Sequence, residues 1–515
     1  MAEEKPRYYV TTPIYYVNDR PHLGHAYTTL ACDLLARFMR LDGREVLFLT
    51  GTDEHGQKVE QSARERGQEP QDYAKQISDA FRKLAVEMEF STDDFIRTTE
   101  PRHHEAVQNL WRILIARDQI YLGQYAGWYS ISDEAFYGED ELTERDGQRY
   151  APSGKLVEWV EEPSYFFRLS AWQEPLLALY ESQPDLIQPE SRRNEVMAFV
   201  RGGLRDLSIS RTTYNWGIPV PDDPAHVIYV WFDALINYIT AAGYPDTEGE
   251  SYKTFWPADL HMVGKDILRF HAVYWPAFLM AADLPTPRRV FAHGWWTNEG
   301  QKISKSLGNV IDPFQLIARY GLDPVRYFLM REMSFGQDGD FSHAAMVRRT
   351  NDDLANDLGN LAQRVLSMIA KNCGRQVPPA GELTAADRAL LTSAADLLPI
   401  LRETFERQAF HRGLEAIWQV VGDANRYVDA QAPWALRKSD PDRMVTVLYV
   451  LAETLRRLAL VIQPVMPSSA GRLLDQLAVA AEDRTFKAFD SALEVGKDLP
   501  APSGIFPRYQ DDETA

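Results

Sequence analysis

Five short apolar runs, at residues 8–12, 45–50, 227–232, 260–263 and 290–292, each end in a polar cluster and lead toward a segment of helical spacing. Runs of this length, rich in β-branched and aromatic side chains, read as buried strands. The recurrence of strand, polar cluster and helix predicts an α/β fold with a doubly wound, Rossmann-type parallel sheet and a nucleotide-type crevice beyond its strand ends. The first unit sets the pattern. Leu30, Leu34, Phe38 and Leu41 fall at helical spacing, and Gly43 stands where a helix would stop. Pro21 cannot lie inside a helix, so His22, Leu23, Gly24 and His25 belong to the helix start. Free N–H groups and the positive dipole end favour a phosphate there, and Gly24 lets a flat base or sugar approach the backbone. Histidines at i and i+3 also occur as surface pairs or as one face of a zinc site, and the pattern alone leaves those readings open.

The second run is followed by Gly51, Thr52, Asp53, Glu54, His55 and Gly56. This has the frame of a phosphate loop, but Gln57 stands where that loop needs lysine and Lys58 where it needs Ser or Thr, which excludes a Walker motif. Asp53 remains, a carboxylate at the C-terminal end of a parallel strand, where ligands of open α/β sheets bind. Ile77, Phe81, Leu84 and Met88, then Val107, Leu110 and Leu114, predict two core-facing helices. Residues 121–160 alternate aromatic and polar positions around an acidic turn, predicting a small β-rich insertion, and helical segments follow over 175–207. The third run opens a helix at 233–238, and the fourth runs into a helix bearing His271. The fifth passes through His293, Gly294 and two tryptophans into a loop at 300–309.

From about residue 351 the strands vanish. Leu390, Ala394, Leu397, Leu401 and Phe405 form one stripe, Leu414, Ile417, Val421, Ala424 and Val428 a second, and Leu448, Leu451, Leu455, Leu458 and Ile462 a third. These predict an all-α helix bundle. The expected layout is a catalytic first half at 1–120, a connective insertion at 121–215, a catalytic second half at 216–290, a loop and linking segment at 291–350, the bundle at 351–498, and a proline-rich tail at 499–515.

Composition sharpens this picture further. A chain of 515 residues that is 45% hydrophobic exceeds what one core needs, which agrees with several domains. No apolar run reaches eighteen residues and no leader precedes the first strand, so a cytoplasmic protein without a membrane span is expected. Cys32 and Cys373 are the only cysteines, too few for a disulfide framework or a four-cysteine zinc knuckle. A net charge of −19 argues against indiscriminate nucleic-acid binding. Between residues 351 and 450 stand 11 Lys/Arg and 13 Asp/Glu, so an RNA role there must rest on placed residues.

The loop G-Q-K-I-S-K-S-L-G-N sets Lys302 and Lys305 three apart between Gly300 and Gly308. Two ammonium groups there suit a polyphosphate clamp, although an isolated K-x-x-K reads better as a solvated turn. It is not isolated. H-x-G-H after the first strand and K-x-S-K-S after the last resemble, in that order, the two signatures of class I aminoacyl-tRNA synthetases. Within the class the chain is most similar to the methionyl-tRNA synthetase family, through T-x-P-I-Y-Y-V-N, G-T-D-E-H-G, Y-V-W-F-D-A-L-I-N-Y, G-K-D-I-L-R-F-H and A-P-W, which span nearly the whole sequence.

The resemblance implies an ATP-dependent methionine–tRNA ligase. Ile14, Tyr16, Asp53, Trp231, Ala234, Tyr238, Ile267 and His271 would form the methionine site. His22, Gly24, His25, Lys302 and Lys305 would serve ATP, the catalytic work falling to the two histidines and two lysines, with Mg2+ present. Asn360, Arg364 and Trp434 would read the anticodon of tRNA(Met). Aromatic faces suit a soft thioether, and Asp53 suits its α-ammonium. Many relatives carry cysteine-ligated zinc in the insertion, whereas residues 121–207 contain no cysteine, so no structural zinc is expected. The chain ends soon after the bundle, without room for a further dimerising or tRNA-binding domain, so a monomer is expected. Three other readings are weighed against this one. A metal-dependent hydrolase using His22, His25, Asp53 and His55 would leave the lysine loop and the bundle unexplained. A small-molecule nucleotidylyltransferase would not need Trp434, and a non-catalytic RNA-binding protein would not need the signatures intact.

Overall fold

A computed structural model describes residues 6–510 apart from 134 and 304–308, and all of these except the side chains of Phe136 and Lys302. The chain divides into two compact units, one of residues 7–21 and 47–293, the other built around residues 22–46 and 294 onward.

The first unit holds a seven-stranded sheet. In spatial order it runs Ile187–Gln188, Val290–His293, Leu260–Gly264, Arg7–Thr11, Glu45–Asp53 and Tyr15–Tyr16, with Asp94–Arg97 also paired to Glu45–Asp53. Val10 lies opposite Leu260, His261 opposite Val290, Leu49 opposite Asp94 and Tyr16 opposite Asp53, all in parallel register. Successive strands build outward from Arg7–Thr11 first on one side and then on the other. The strand order therefore reverses there, and such a switch point opens a crevice at the C-terminal strand ends. The centre is dry: Tyr9, Val10, Leu49, Val263, Val290 and Ala292 are fully buried.

One expected strand is not in this sheet. The run at 227–232 splits between an antiparallel strand, Asp223–Ile228, paired with Ser210–Arg211 and Pro219–Val220, and the helix Val230–Leu235. A short apolar run fits a buried helix as well as a strand, and here packing on all sides made the two indistinguishable by pattern. Ile187–Gln188, within the segment expected as insertion, takes the edge of the parallel sheet beside Val290–His293 instead. Two residues carry no periodicity to read.

The insertion folds around one long antiparallel pair, Ile120–Ser130 with Glu158–Phe167. Its aromatic residues interact across the strands, Tyr121 stacked on Phe166 at 5.6 Å and Trp128 edge-on to Trp159 at 5.3 Å. Such cross-strand pairs supply the local packing that a small sheet requires.

The second unit is helical. Leu23–Leu41, expected to go with the catalytic first half, belongs to it by contact. Asp33, fully buried in that helix, accepts a 2.6 Å bond from the guanidinium of buried Arg326 on Leu322–Arg331, and Arg326 also donates to the carbonyl of Val465 at 2.8 Å. Phe38 meets Phe405 edge-on at 5.0 Å. The three apolar stripes are buried, the first shared by two helices, Ala385–Ala395 and Leu397–Glu406, that break at Asp396. The others lie on Phe410–Gln431 and Pro441–Ile462. The tail is tied down: Tyr509 N–H donates to Asn351 at 2.8 Å, and Gln476 and Ser503 exchange bonds of 3.0 and 2.8 Å. No described helix is long and apolar enough to cross a membrane.

Candidate active site

The helix Leu23–Leu41 begins with a reciprocal cap made by its two histidines. Gly24 N–H donates to Nδ1 of His22 at 3.1 Å, and His22 N–H donates to Nδ1 of His25 at 3.1 Å, with the rings 3.8 Å apart. A backbone N–H can only donate, so both Nδ1 atoms are bare, and in the neutral rings the protons sit on Nε2. Burial, with His22 alongside, pushes the His25 pKa well below its ordinary value, which keeps that ring uncharged. Each ring is thus an Nε2–H donor and not a cation. A Cβ on Gly24 would meet Cε1 of His22 at 2.9 Å, so the glycine first makes room for the folded-back cap. From the sequence alone that space is expected to serve only the ligand.

In the other unit, the residues expected to hold methionine gather at the C-terminal strand ends. Asp53 is the last residue of Glu45–Asp53, and Tyr16 is its register partner. Ile14, Tyr16, Trp231 and Ile267 are partly buried against one apolar cluster that includes Tyr238. Tyr238 Oη lies 2.7 Å from Nε2 of His271, whose Nδ1 lies 2.9 Å from the carbonyl of Ile267. That carbonyl can only accept, so Nδ1 carries the proton and Nε2 accepts from the tyrosine. Burial lowers the His271 pKa to about 4, so the ring is a neutral wall. Trp231 lies flat on Phe270, centroids 3.7 Å apart and planes within 6°, and edge-on to His271 at 6.3 Å. Phe270 was missed as a site residue although it sits inside the quoted G-K-D-I-L-R-F-H motif. Ala234 is buried on the same short helix as Trp231.

In the helical unit, Asn360 is exposed at the start of Asn360–Asn372. Arg364, one turn on, places its guanidinium 5.6 Å from the ring of Trp434 and bonds Asp429 at 2.8 Å. Trp434 is 51% exposed, so it is not core of the bundle. Ala432 in the left-handed region (φ 44°) and Pro433 at the first turn of Pro433–Ser439 turn the indole outward.

The profile of the class I tRNA synthetases (M) matches residues 8–366, and that of the anticodon binding domain of methionyl tRNA ligase matches residues 377–515. The chain is 60% identical over 511 residues to a methionine–tRNA ligase of Brucella suis, covering 99% of each. It belongs to the methionine–tRNA ligases. Its fold superposes with a TM-score of 0.96 and 55% identity on a Mycobacterium tuberculosis methionyl-tRNA synthetase in complex with methionyl-adenylate, covering 98% of this chain and 100% of that one. The apo form of the same Mycobacterium enzyme gives a TM-score of 0.91 at 52% identity.

The loop lysines expected to serve ATP are described only in part. Lys302 closes the two-residue strand Gln301–Lys302, which pairs with Trp296–Asn298, while Lys305 lies outside the described residues. The hydrolase reading fails on geometry. His22 and His25 accept backbone N–H groups at Nδ1, which puts their protons on Nε2 and leaves neither ring a bare nitrogen for a metal, and no metal-holding group of three His, Cys, Asp or Glu occurs among the described residues.

Proposed function

We propose that this ligase condenses L-methionine with ATP to methionyl-adenylate and pyrophosphate, then passes methionine to the terminal ribose of tRNA(Met). The methionine carboxylate attacks the α-phosphorus, the bond to the β-phosphate oxygen breaks, and pyrophosphate leaves. The ribose hydroxyl then displaces AMP. No protein nucleophile is required. Catalysis of this kind rests on positioning and on donors aimed at charge that grows in the transition state. The observation that carries the reading is the histidine cap, because two rings locked as Nε2–H donors at a helix start suit developing negative charge on phosphate. Lys302 and Lys305 are assigned to the same phosphates by their motif, and Gly24 to the close approach. Mg2+ enters with ATP as its phosphate complex.

The methionine pocket fits its ligand by chemistry. The thioether is soft and unbranched and packs on the faces of Trp231, Tyr238 and His271, with Ile14, Tyr16, Ala234 and Ile267 closing the slot and Asp53 receiving the ammonium. Asn360, Arg364 and Trp434 form the anticodon contact, Trp434 by stacking on an unpaired base. We place the enzyme in the cytoplasm as a monomer, with the catalytic domain interrupted by the insertion built on Ile120–Ser130 and Glu158–Phe167. Methionine-dependent exchange of label between pyrophosphate and ATP, without tRNA, tests the first step. Exchange that ignores methionine, or follows a different amino acid, would overturn the assignment.

A further inference from the structure

Asp233 is fully buried and lies between two imidazoles, 2.6 Å from Nδ1 of His55 and 2.6 Å from Nε2 of His103. Both rings are buried too. The carboxylate joins three elements of one unit. His55 follows two residues after Asp53 at the strand end. Asp233 sits on Val230–Leu235 between Trp231 and Ala234. His103 lies in the first turn of Pro101–Ala116. Other anchors hold the strand end elsewhere: Glu54 takes bonds of 2.6 and 2.9 Å from Arg97, and its carbonyl accepts from the Trp216 indole at 2.5 Å. Neither of these reaches the helix that carries Trp231.

We propose that Asp233, bridging His55 and His103, is a positioning residue that sets the distance between Asp53 and the Trp231–Ala234 wall, and so determines methionine affinity. The inference rests on the assignment of Asp53, Trp231 and Ala234 to methionine. An ionised carboxylate accepts from both ring N–H groups at once, and bonds of this charged kind fix geometry more tightly than neutral ones. The two histidines hold the carboxylate's pKa below its ordinary value despite its burial, so it stays charged. Asparagine cannot replace it, because its amide NH2 would face one of the two ring donors.

The test is pyrophosphate exchange with both substrates titrated. Asp233→Asn should raise the methionine KM about tenfold or more, the size expected for losing a hydrogen bond to a charged group, while kcat and the ATP KM stay within about twofold. His55→Asn and His103→Gln keep an N–H near the Nδ1 and Nε2 positions without an ionisable ring, so they should hold the methionine KM within about threefold of wild type, whereas His55→Ala and His103→Ala should raise it as Asp233→Asn does. An unchanged methionine KM in Asp233→Asn, a parallel rise for ATP, or amide variants as impaired as the alanine variants would each overturn the proposal. Should Asp233→Asn fail to fold, the paired histidine variants decide alone. Wild-type protein lacking methionine-dependent exchange would defeat the proposed function instead.

Discussion

His22 carries two jobs on one ring. Its Nδ1 caps a helix, and its Nε2–H is the donor proposed to serve ATP. The two can be separated, because asparagine is an excellent N-cap whose Oδ1 replaces Nδ1 but which supplies no donor at the Nε2 position. His22→Asn should therefore keep the wild-type melting temperature while the rate of adenylate formation falls by about a hundredfold, the usual cost of removing one donor to transition-state charge. Single-turnover activation and thermal melting on one preparation check this. A rate loss that tracks a loss of helix, or no rate loss, would remove the donor role. The H-x-G-H spacing was legible in the sequence. The tautomer was not, because it depends on which backbone N–H groups each ring meets once Pro21 has ended the preceding loop.

Among the elements, those with long periodic faces were read correctly and the shortest were not. Ile77, Phe81, Leu84 and Met88 are buried along Pro70–Glu87 and its C-cap, as their spacing required. The run at 227–232 misled, and Tyr15–Tyr16 and Ile187–Gln188 gave no signal, since a two-residue strand is made by its neighbours. Trp434 belongs to this scale because the break at Ala432 and Pro433 exposes it. Trp434→Ala should leave melting temperature and methionine-dependent exchange nearly intact while aminoacylation falls by about one to two orders of magnitude, as a stacking energy of about 1–3 kcal/mol implies. Unchanged aminoacylation would withdraw the anticodon assignment.

At the scale of the whole molecule, the helix that begins at the signature histidines is built into the helical unit through a buried ion pair, Asp33 with Arg326. Removing one partner strands a buried charge, which costs about 3 kcal/mol here, the low end of the usual range because Arg37 still bonds Asp33 at 2.8 Å. Arg326→Met should lower the denaturation midpoint accordingly, and hydrogen exchange should show Leu23–Leu41 and Leu322–Arg331 losing protection together. Loss confined to the second helix would show that the first is held by other means. The sequence determined the parallel-sheet architecture, the bundle, the two signatures and the family, because each depends on local periodicity or on residues fixed in short motifs. The tertiary structure alone decided that Leu23–Leu41 packs with the bundle, that Phe270 backs Trp231, and that Asp233 ties His55 to His103. These contacts join residues tens to hundreds of positions apart, and a buried carboxylate or arginine leaves no periodic trace by which its partner could be read.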